Sequence, residues 1–219
     1  MRRQWLFPLL LLFPWTETHA VHVIAGRALA EQSIERITRR GIPVNLVISE
    51  HLVSTTRIGW ICDGREAIVW VGIPGSRVEE NVGRLERYLI EGRGLIKAVH
   101  IQNGQNDSYW GAIDLAHLKS VYARMATLIA DAGARAVFYA LTPVDFGNPR
   151  QIRQKDPMQY AAIQAIIRAV RNEQAVGWID TPATLPLAPD GAHLTKAGVR
   201  AMKRLHRTEF YEHCENGRL

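Results

Sequence analysis

The sequence predicts an α/β protein whose mainly parallel sheet is covered by helices on both faces. Short apolar runs of strand length alternate along the chain with longer segments in which apolar residues recur at helical spacing. We find no hairpin signal between consecutive apolar runs, and parallel strands need crossover connections that are usually helices. The regular alternation therefore favours a parallel sheet with helices packed against it.

The strands and helices are assigned in chain order from these patterns. The predicted strands are Val21–Ala25, Val44–Ile48, Ala67–Val71, Leu95–Ile101, Ala136–Leu141 and Val176–Ile179. The predicted helices are Ala28–Arg39, Val78–Leu89, Ile113–Ala132, one that starts at Pro157 and one that starts at Thr195. Gly41 can end the first helix in a left-handed conformation, and proline fits the first helical turn. Chemistry in such a sheet is expected outside the carboxyl ends of the strands.

Residues 1–20 have the layout of a secretory signal peptide, and we exclude them from the predicted fold. Arg2 and Arg3 form a basic start, Trp5–Trp15 is apolar, and Ala20 ends the segment with a small residue. An uncleaved anchor is the alternative, although the apolar run is short for a membrane span. We therefore expect an exported protein, periplasmic or secreted, whose residues 21–219 form one domain.

The chain has a positive net charge, and its basic residues are scattered along the sequence. The 27 lysine and arginine residues exceed the 21 acidic residues, which gives a formal net charge of +6. Short basic pairs such as Lys203-Arg204 are expected on solvated helix faces. A clustered basic stripe with interleaved aromatic residues, which nucleic-acid binding calls for, is not evident. We expect no nucleic-acid partner and only a weak attraction to anionic surfaces.

The chain has two cysteines, Cys62 and Cys214. They can pair in an exported protein, but nothing in the sequence brings them together, so their pairing stays open at this point. Their spacing to each other and to histidine is not that of a metal site. No metal and no organic cofactor is implied.

The sharpest catalytic pattern is Asp190-Gly191-Ala192-His193, which precedes the last predicted helix. An acid three residues before a histidine can accept a hydrogen bond from one ring nitrogen and leave the other to act as a general base. The alternative is that Asp190 or Thr195 caps the helix and that His193 is an ordinary surface residue. The longer string, which continues to Gly198, favours the catalytic interpretation.

Two further loops follow predicted strands and offer hydrogen-bond donors. Asn106, within Gly104-Gln105-Asn106-Asp107, can donate its side-chain amide to a developing oxyanion. Its alternative is an Asx turn. Gly75, which precedes the second predicted helix, can donate its backbone amide, and its alternative is a simple turn glycine. Both loops end strands whose carboxyl ends are expected at one edge of the sheet.

These three blocks, in this order, resemble those of the SGNH (GDSL) hydrolase superfamily over roughly residues 44–198. Asp190-Gly191-Ala192-His193 resembles its final Asp-x-x-His block, Gly104–Asp107 its Gly-x-Asn-Asp block, and Ile73-Pro74-Gly75-Ser76 its glycine block. The resemblance implies a three-layer α/β/α sandwich with a flavodoxin-like, mainly parallel sheet of five to six strands. It also implies hydrolysis of ester or acyl bonds in a small molecule, glycan or lipid.

The first block of that family, Gly-Asp-Ser-Leu, carries the nucleophile and is not present as such. One alignment places Ala25-Gly26-Arg27-Ala28-Leu29 there, with alanine at the serine position. The other places Val47–Leu52 there, with His51 at the serine position. Histidine is rare as a nucleophile in acyl transfer. Ser49 lies two residues earlier, on the same face of the strand, and Ser54 and Ser76 are weaker candidates.

Two functions remain open from the sequence. The first is an ester hydrolase in which His193 is the base, Asp190 orients it, and Asn106 and Gly75 are the oxyanion donors. The second is a catalytically inactive relative that binds an acylated carbohydrate or lipid, and the missing Gly-Asp-Ser-Leu string motivates it. An unrelated flavodoxin-like binding module is a third option, and no glycine-rich phosphate fingerprint supports nucleotide binding by it.

Overall fold

The computed structural model describes residues 29–50, 56–72, 74–109, 113–151 and 156–216. The proposed signal peptide, the predicted strand Val21–Ala25 and most of the Ala25–Leu29 alternative lie outside the described residues. The predictions for those segments therefore stay predictions.

The described strands form one largely parallel sheet, as predicted. The strands are β1 (Val44–Ser49), β2 (Arg57–Ile61), β3 (Glu66–Gly72), β4 (Ile96–Gln102), β5 (Arg135–Tyr139) and β6 (Gly177–Ile179). Their order across the sheet is β2-β3-β1-β4-β5-β6. All neighbouring strands pair in parallel except β2 with β3. The apolar runs predicted the parallel strands to within a few residues of their observed bounds.

The antiparallel pair of β2 with β3 corrects the prediction that consecutive strands form no hairpin. β2 escaped notice because it is a partly exposed edge strand that contains a glycine, so it lacks the apolar run of a buried strand. The connecting turn does carry a hairpin signal, Asp63-Gly64, and both residues adopt positive φ angles of 55° and 82°. The Asp-Gly pair was therefore the cue in the sequence.

Five helices flank the strands within the described residues. They are α1 (residues 29–38), α2 (Val78–Gly92), α3 (Leu115–Asp131), α4 (Pro157–Gln174) and α5 (Lys196–Asn216). Side-chain caps start two of them: Asp114 accepts from the amide of His117, and Asp156 accepts from the amides of Met158 and Gln159. In the part of the chain that the structure describes, no helix is long and apolar enough to cross a membrane.

The helices pack on both faces of the sheet, which confirms the predicted layers. Helices α1 to α4 share one core with the inward side chains of one sheet face, including Leu46, Val69 and Val99. Helix α5 packs on the opposite face, where Met202 and Phe210 contribute to a second core. The architecture is a three-layer α/β/α sandwich.

The strand order identifies where a site is expected. Without the antiparallel edge strand β2, the strand order is that of a flavodoxin-like sheet. In such a sheet the second parallel strand lies on one side of the first, and the third lies on the other side. Here β1 pairs with β3 on one side and with β4 on the other. The crevice outside the carboxyl ends of β1 and β4 is therefore the topological switch point, where such sheets bind ligands.

A disulfide joins Cys62 to Cys214, with 5.4 Å between their Cα atoms and a sequence separation of 152. It connects the turn of the β2–β3 hairpin to the last turns of α5. The pairing that the sequence left open is thus made, and Cys214 lies within α5.

We expect the variant Cys62→Ser/Cys214→Ser to lose about 3 to 5 kcal/mol of unfolding free energy, because the disulfide closes a long loop in the unfolded chain. Urea unfolding of the oxidised protein and of the variant measures the difference. Adding dithiothreitol should bring the wild-type curve onto that of the variant. Coincident curves without reductant would contradict the stabilising role of the disulfide.

Buried aromatic rings lie between α5 and the sheet. The ring of His206 lies 4.3 Å from that of Tyr139 and 5.9 Å from that of His100, measured between centroids. The Nδ1 atom of His100 shares a hydrogen bond of 2.8 Å with the hydroxyl of Tyr139. His206 is fully buried, and neither of its ring nitrogens has a hydrogen-bond partner among the described residues. Burial lowers the pKa of His206 from 6.5 to about 3.

Acid should therefore destabilise the fold through His206. Below pH 6.5 the unfolded chain binds a proton at this position and the folded chain does not, so the unfolding free energy falls as the pH drops toward 3. The contribution of one such group is about 1.4 kcal/mol per pH unit. His206→Leu should flatten this part of the stability–pH curve, measured by urea unfolding at several pH values. His117→Gln, which changes a half-exposed histidine, is the control, and equal slopes for wild type and His206→Leu would disprove the assignment.

Candidate functional site

The turn Gly104-Gln105-Asn106-Asp107 lies at the switch point, directly after β4, and it is held from β1. Glu50 follows β1 and is buried, with 1% of its surface exposed. Its Oε1 atom accepts a hydrogen bond from the amide of Gly104, and its Oε2 atom accepts one of 2.8 Å from the amide of Asn106. A buried carboxylate is tolerated when such donors satisfy it. Glu50 therefore fixes the turn to the end of the neighbouring strand.

Gly104 is the residue of this turn that has to be glycine. Its φ angle is 116°, which side chains rarely adopt, and a Cβ atom there would collide with the hydroxyl of Tyr122. That hydroxyl donates a hydrogen bond of 2.7 Å to the carbonyl of Asn103. The close approach of Tyr122 and the positive φ together explain the glycine.

The same turn contacts the loop that carries Gly75. The side-chain amide of Asn106 donates to the carbonyl of Ser76 over 3.1 Å. Gly75 itself is exposed and has a φ angle of 75°. The Asn106 side chain thus bridges two loops instead of closing an Asx turn. The two predicted donors, Asn106 and the Gly75 amide, therefore belong to loops that are in direct contact.

Asp107 joins the turn to the start of α2. Its Oδ2 atom accepts from the amide of Val78 over 3.1 Å, and its Oδ1 atom lies 3.7 Å from Nε of Arg77. Burial raises the pKa of Asp107 to about 6, although the Val78 amide and the Arg77 guanidinium oppose the shift. Asp107 therefore caps α2 and keeps the Gly75 loop against the turn.

Gln105 connects the turn to the Asp190–His193 block. Its Nε2 atom donates to the carbonyl of Ala192 over 3.3 Å, and its Oε1 atom accepts from the hydroxyl of Thr142 over 2.6 Å. Ala192 immediately precedes the candidate base. Through Gln105, the third sequence block reaches the same edge of the sheet as the other two.

Asp190 holds both the backbone and the ring of His193. Its Oδ1 atom accepts from the amides of Ala192 and His193, each over 2.9 Å, and its Oδ2 atom lies 2.5 Å from Nδ1 of the His193 ring. Burial acts to raise the pKa of Asp190, but these hydrogen bonds and the adjacent imidazole outweigh it and lower the pKa to about 2. The carboxylate is therefore ionised at neutral pH and orients an imidazole whose side chain is 55% exposed.

The alternative role in helix capping falls to a different residue. The hydroxyl of Thr195 accepts a hydrogen bond of 3.2 Å from the amide of Gly198, in the first turn of α5. Asp190 is therefore not needed as the cap of α5, and its second carboxylate oxygen is available for the ring of His193.

The candidate nucleophiles have unequal positions. Ser49 is the last residue of β1, lies between Gly72 and Gln102 in the sheet, and is 2% exposed. Ser76 is also buried, and its hydroxyl accepts from the side chain of Asn81. His51 and Ser54 lie outside the described residues. Because β1 is the strand at the switch point, the topology favours the alignment in which the first block follows β1.

Sequence reasoning missed the roles of Glu50 and Gln105. Glu50 directly follows a fully buried strand, but nothing near it in the sequence identifies the distant amides that it accepts from. Gln105 stands at the variable position of its block, so no motif points to it. Among the described residues, no group of three or more histidine, cysteine or acidic side chains is arranged to hold a metal ion.

Comparison of the structure with known proteins identifies the fold. None of the compared family models or curated protein sequences matches the chain. Solved structures do: a GDSL-like lipase from Bacteroides thetaiotaomicron superposes with a TM-score of 0.60 at 16% identity, over 83% of this chain and 98% of the lipase. The psychrotrophic esterase EstA from Pseudoalteromonas gives 0.56 at 14% identity, over 79% and 97% of the two chains.

The acetylxylan esterase Axe2 from Geobacillus stearothermophilus is also similar, with a TM-score of 0.54 at 19% identity, over 76% of this chain and 93% of that enzyme. At these identities the likeness is one of fold. The chain has the α/β/α fold of the SGNH hydrolases, as the sequence blocks predicted.

Replacing Glu50 should destabilise the turn after β4 and lower the unfolding free energy of the protein. In Glu50→Gln one acceptor oxygen becomes an NH₂ group that faces a backbone amide, so a buried donor is left unsatisfied, at a cost of about 3 kcal/mol. Urea unfolding measures the loss. Glu66→Gln, at the start of β3, is the matched control at a carboxylate outside the turn. A loss below about 0.5 kcal/mol for Glu50→Gln would show that the two hydrogen bonds contribute little.

Proposed function

We propose that this protein, which has the SGNH hydrolase fold, hydrolyses carboxylic ester bonds with His193 as its general base. The observation that carries the proposal is the hydrogen bond of 2.5 Å between Nδ1 of His193 and an ionised Asp190, next to the switch point of the sheet. A proton held on Nδ1 by the carboxylate leaves Nε2 as the basic nitrogen. That nitrogen can take a proton from a nucleophile and return it to the leaving alcohol.

The oxyanion of the tetrahedral intermediate needs donors that are already in place. Asn106 and the amide of Gly75 are proposed for this role, and the hydrogen bond from Asn106 to the Ser76 carbonyl supports it because it joins the two loops. The side-chain amide of Asn106 has two hydrogens, so one can serve the loop and one the substrate. Donors fixed in this way cost no reorganisation during the reaction.

The nucleophile is proposed to follow β1, where Ser49 and His51 are the candidates. Attack by Ser49 would form an acyl-serine ester, whereas attack by His51 would form an acyl-imidazole, and water would release the acid from either. Ser49 is almost fully buried within the sheet, which favours His51. The two intermediates differ in their chemical stability, so they can be told apart experimentally.

The substrate is proposed to be an ester of a small molecule, a glycan or a lipid, as the similar esterases and lipase suggest. We also propose that the protein is exported and that its signal peptide is removed. The Cys62–Cys214 disulfide supports export, because such bonds form and persist in oxidising compartments.

A second function, binding of an acylated carbohydrate or lipid without cleavage, is favoured by one observation. In the two alignments with the resembled family, the serine position holds Ala28 or His51, and the nearby Ser49 is buried. The same cleft, with Asn106 and His193, would then recognise the acyl group and leave it intact.

Removing the base separates the two functions. If the protein is an esterase, His193→Ala should lower kcat for short-chain aryl esters by about 10²- to 10⁴-fold, and Asn106→Ala by about 10²- to 10³-fold. His117→Ala, at an exposed histidine of α3, is the control. Mass spectrometry identifies the residue that reacts with a fluorophosphonate or that carries a trapped acyl group. The variants Ser49→Ala and His51→Ala test each candidate nucleophile directly.

Unchanged turnover in His193→Ala would rule out His193 as the base. No turnover and no labelling across a series of acyl lengths, together with measurable binding of the same esters, would overturn the esterase proposal and support the binding function.

A further inference from the structure

Helix α5 carries a row of cations on its outward side. Arg200, Lys203, Arg204 and Arg207 fall within an arc of about 100° when successive residues are placed about 100° apart. The arginines are exposed and Lys203 is half-buried. The opposite part of the helix, which carries Met202, packs on the sheet. Residues that look scattered in the sequence therefore form one stripe on the folded protein.

The edge strand β2 extends this stripe with Arg57. Nζ of Lys203 lies 5.9 Å from the ring centre of Trp70, and the guanidinium of Arg207 lies 5.7 Å from the same ring. Arg57 pairs with Trp70 in the β2–β3 register. The three cations thus gather around one indole ring. We call Arg57, Arg200, Lys203, Arg204 and Arg207 the cationic edge.

Among the described residues, three members of the cationic edge have no acidic partner. Within the part of the chain that the structure describes, Arg57, Lys203 and Arg207 form no ion pair with a carboxylate. Burial lowers the pKa of Lys203, and the nearby Arg57 and Arg207 lower it further. Like charges held together raise the free energy of the isolated protein, so an external anion would be attracted to this surface.

An exposed aromatic side chain lies beside the cationic edge. Tyr211 on α5 is 47% exposed. Tyr211 follows Arg207 by one helical turn on the same side of α5. Tyrosine beside lysine and arginine is typical of surfaces that rest at the interface of a membrane, where rings enter the headgroup layer and cations meet lipid phosphates.

We propose that the cationic edge binds the surface of membranes that contain anionic phospholipids. Charge complementarity supplies the attraction, and the exposed ring of Tyr211 beside the cations suits the headgroup layer of a membrane. The inference does not depend on ester hydrolysis. It replaces the expectation of a weak, diffuse attraction with a defined surface on α5 and β2.

Co-sedimentation with vesicles tests the proposal on the full chain. Vesicles of phosphatidylcholine with phosphatidylglycerol should bind the protein at 0.1 M salt, and vesicles of phosphatidylcholine alone should not. Arg200→Gln/Arg204→Gln should weaken binding about 25-fold, because each basic residue near an anionic surface contributes about a fivefold factor. Arg168→Gln/Arg171→Gln on α4 removes the same charge elsewhere and should leave binding unchanged.

Two further measurements decide the nature of the partner. Tyr211→Ser should weaken binding to the anionic vesicles, and raising the salt concentration should weaken it as well. Thermal unfolding checks that each variant is folded. The proposal is overturned if anionic vesicles do not bind, if the α4 variant loses as much affinity as the α5 variant, or if duplex DNA binds more tightly than the vesicles.

Discussion

The carboxylate of Glu50 is the constraint on which the candidate site depends. It is buried where β1 ends, and its two oxygens take the backbone amides of Gly104 and Asn106. Burying a carboxylate is costly unless donors satisfy it, so this arrangement demands a turn of one particular shape after β4. That shape in turn requires a glycine at position 104, because Tyr122 occupies the space of a side chain.

Each remaining side chain of the turn then has a separate task. Asn106 and Asp107 hold the loop around Gly75 and the start of α2, and Gln105 holds the carbonyl that precedes His193. Three loops that are far apart in the sequence are therefore positioned by one turn. A displacement of that turn would move the proposed oxyanion donors and the base together. This common dependence is what a site with several cooperating groups needs, since reacting groups must be held within fractions of an ångström.

The sequence predicted local features well and long-range ones poorly. The Asp190–His193 pair could be found because both residues lie within one turn and their geometry depends on few neighbours. The strands β1 and β4 could be found because buried parallel strands are continuously apolar. The role of Glu50 could not, because its partners Gly104 and Asn106 follow a different strand and lie 54 and 56 residues further along the chain. β2 was missed for a different reason: it is exposed at an edge, so burial left no pattern in its sequence.

Helix α5 connects the site to the far end of the sheet. It begins just after His193, and its 21 residues span about 31 Å at about 1.5 Å per residue. Its last turns reach the hairpin before β3, where the disulfide fixes them, so the two ends of the helix lie at opposite ends of the strands. Between those ends it buries His206 and presents the cationic edge. The disulfide and Gln105 thus hold the two ends of one continuous segment: the disulfide ties the last turns of α5 to the hairpin, and Gln105 holds the carbonyl of Ala192 in the loop before the helix.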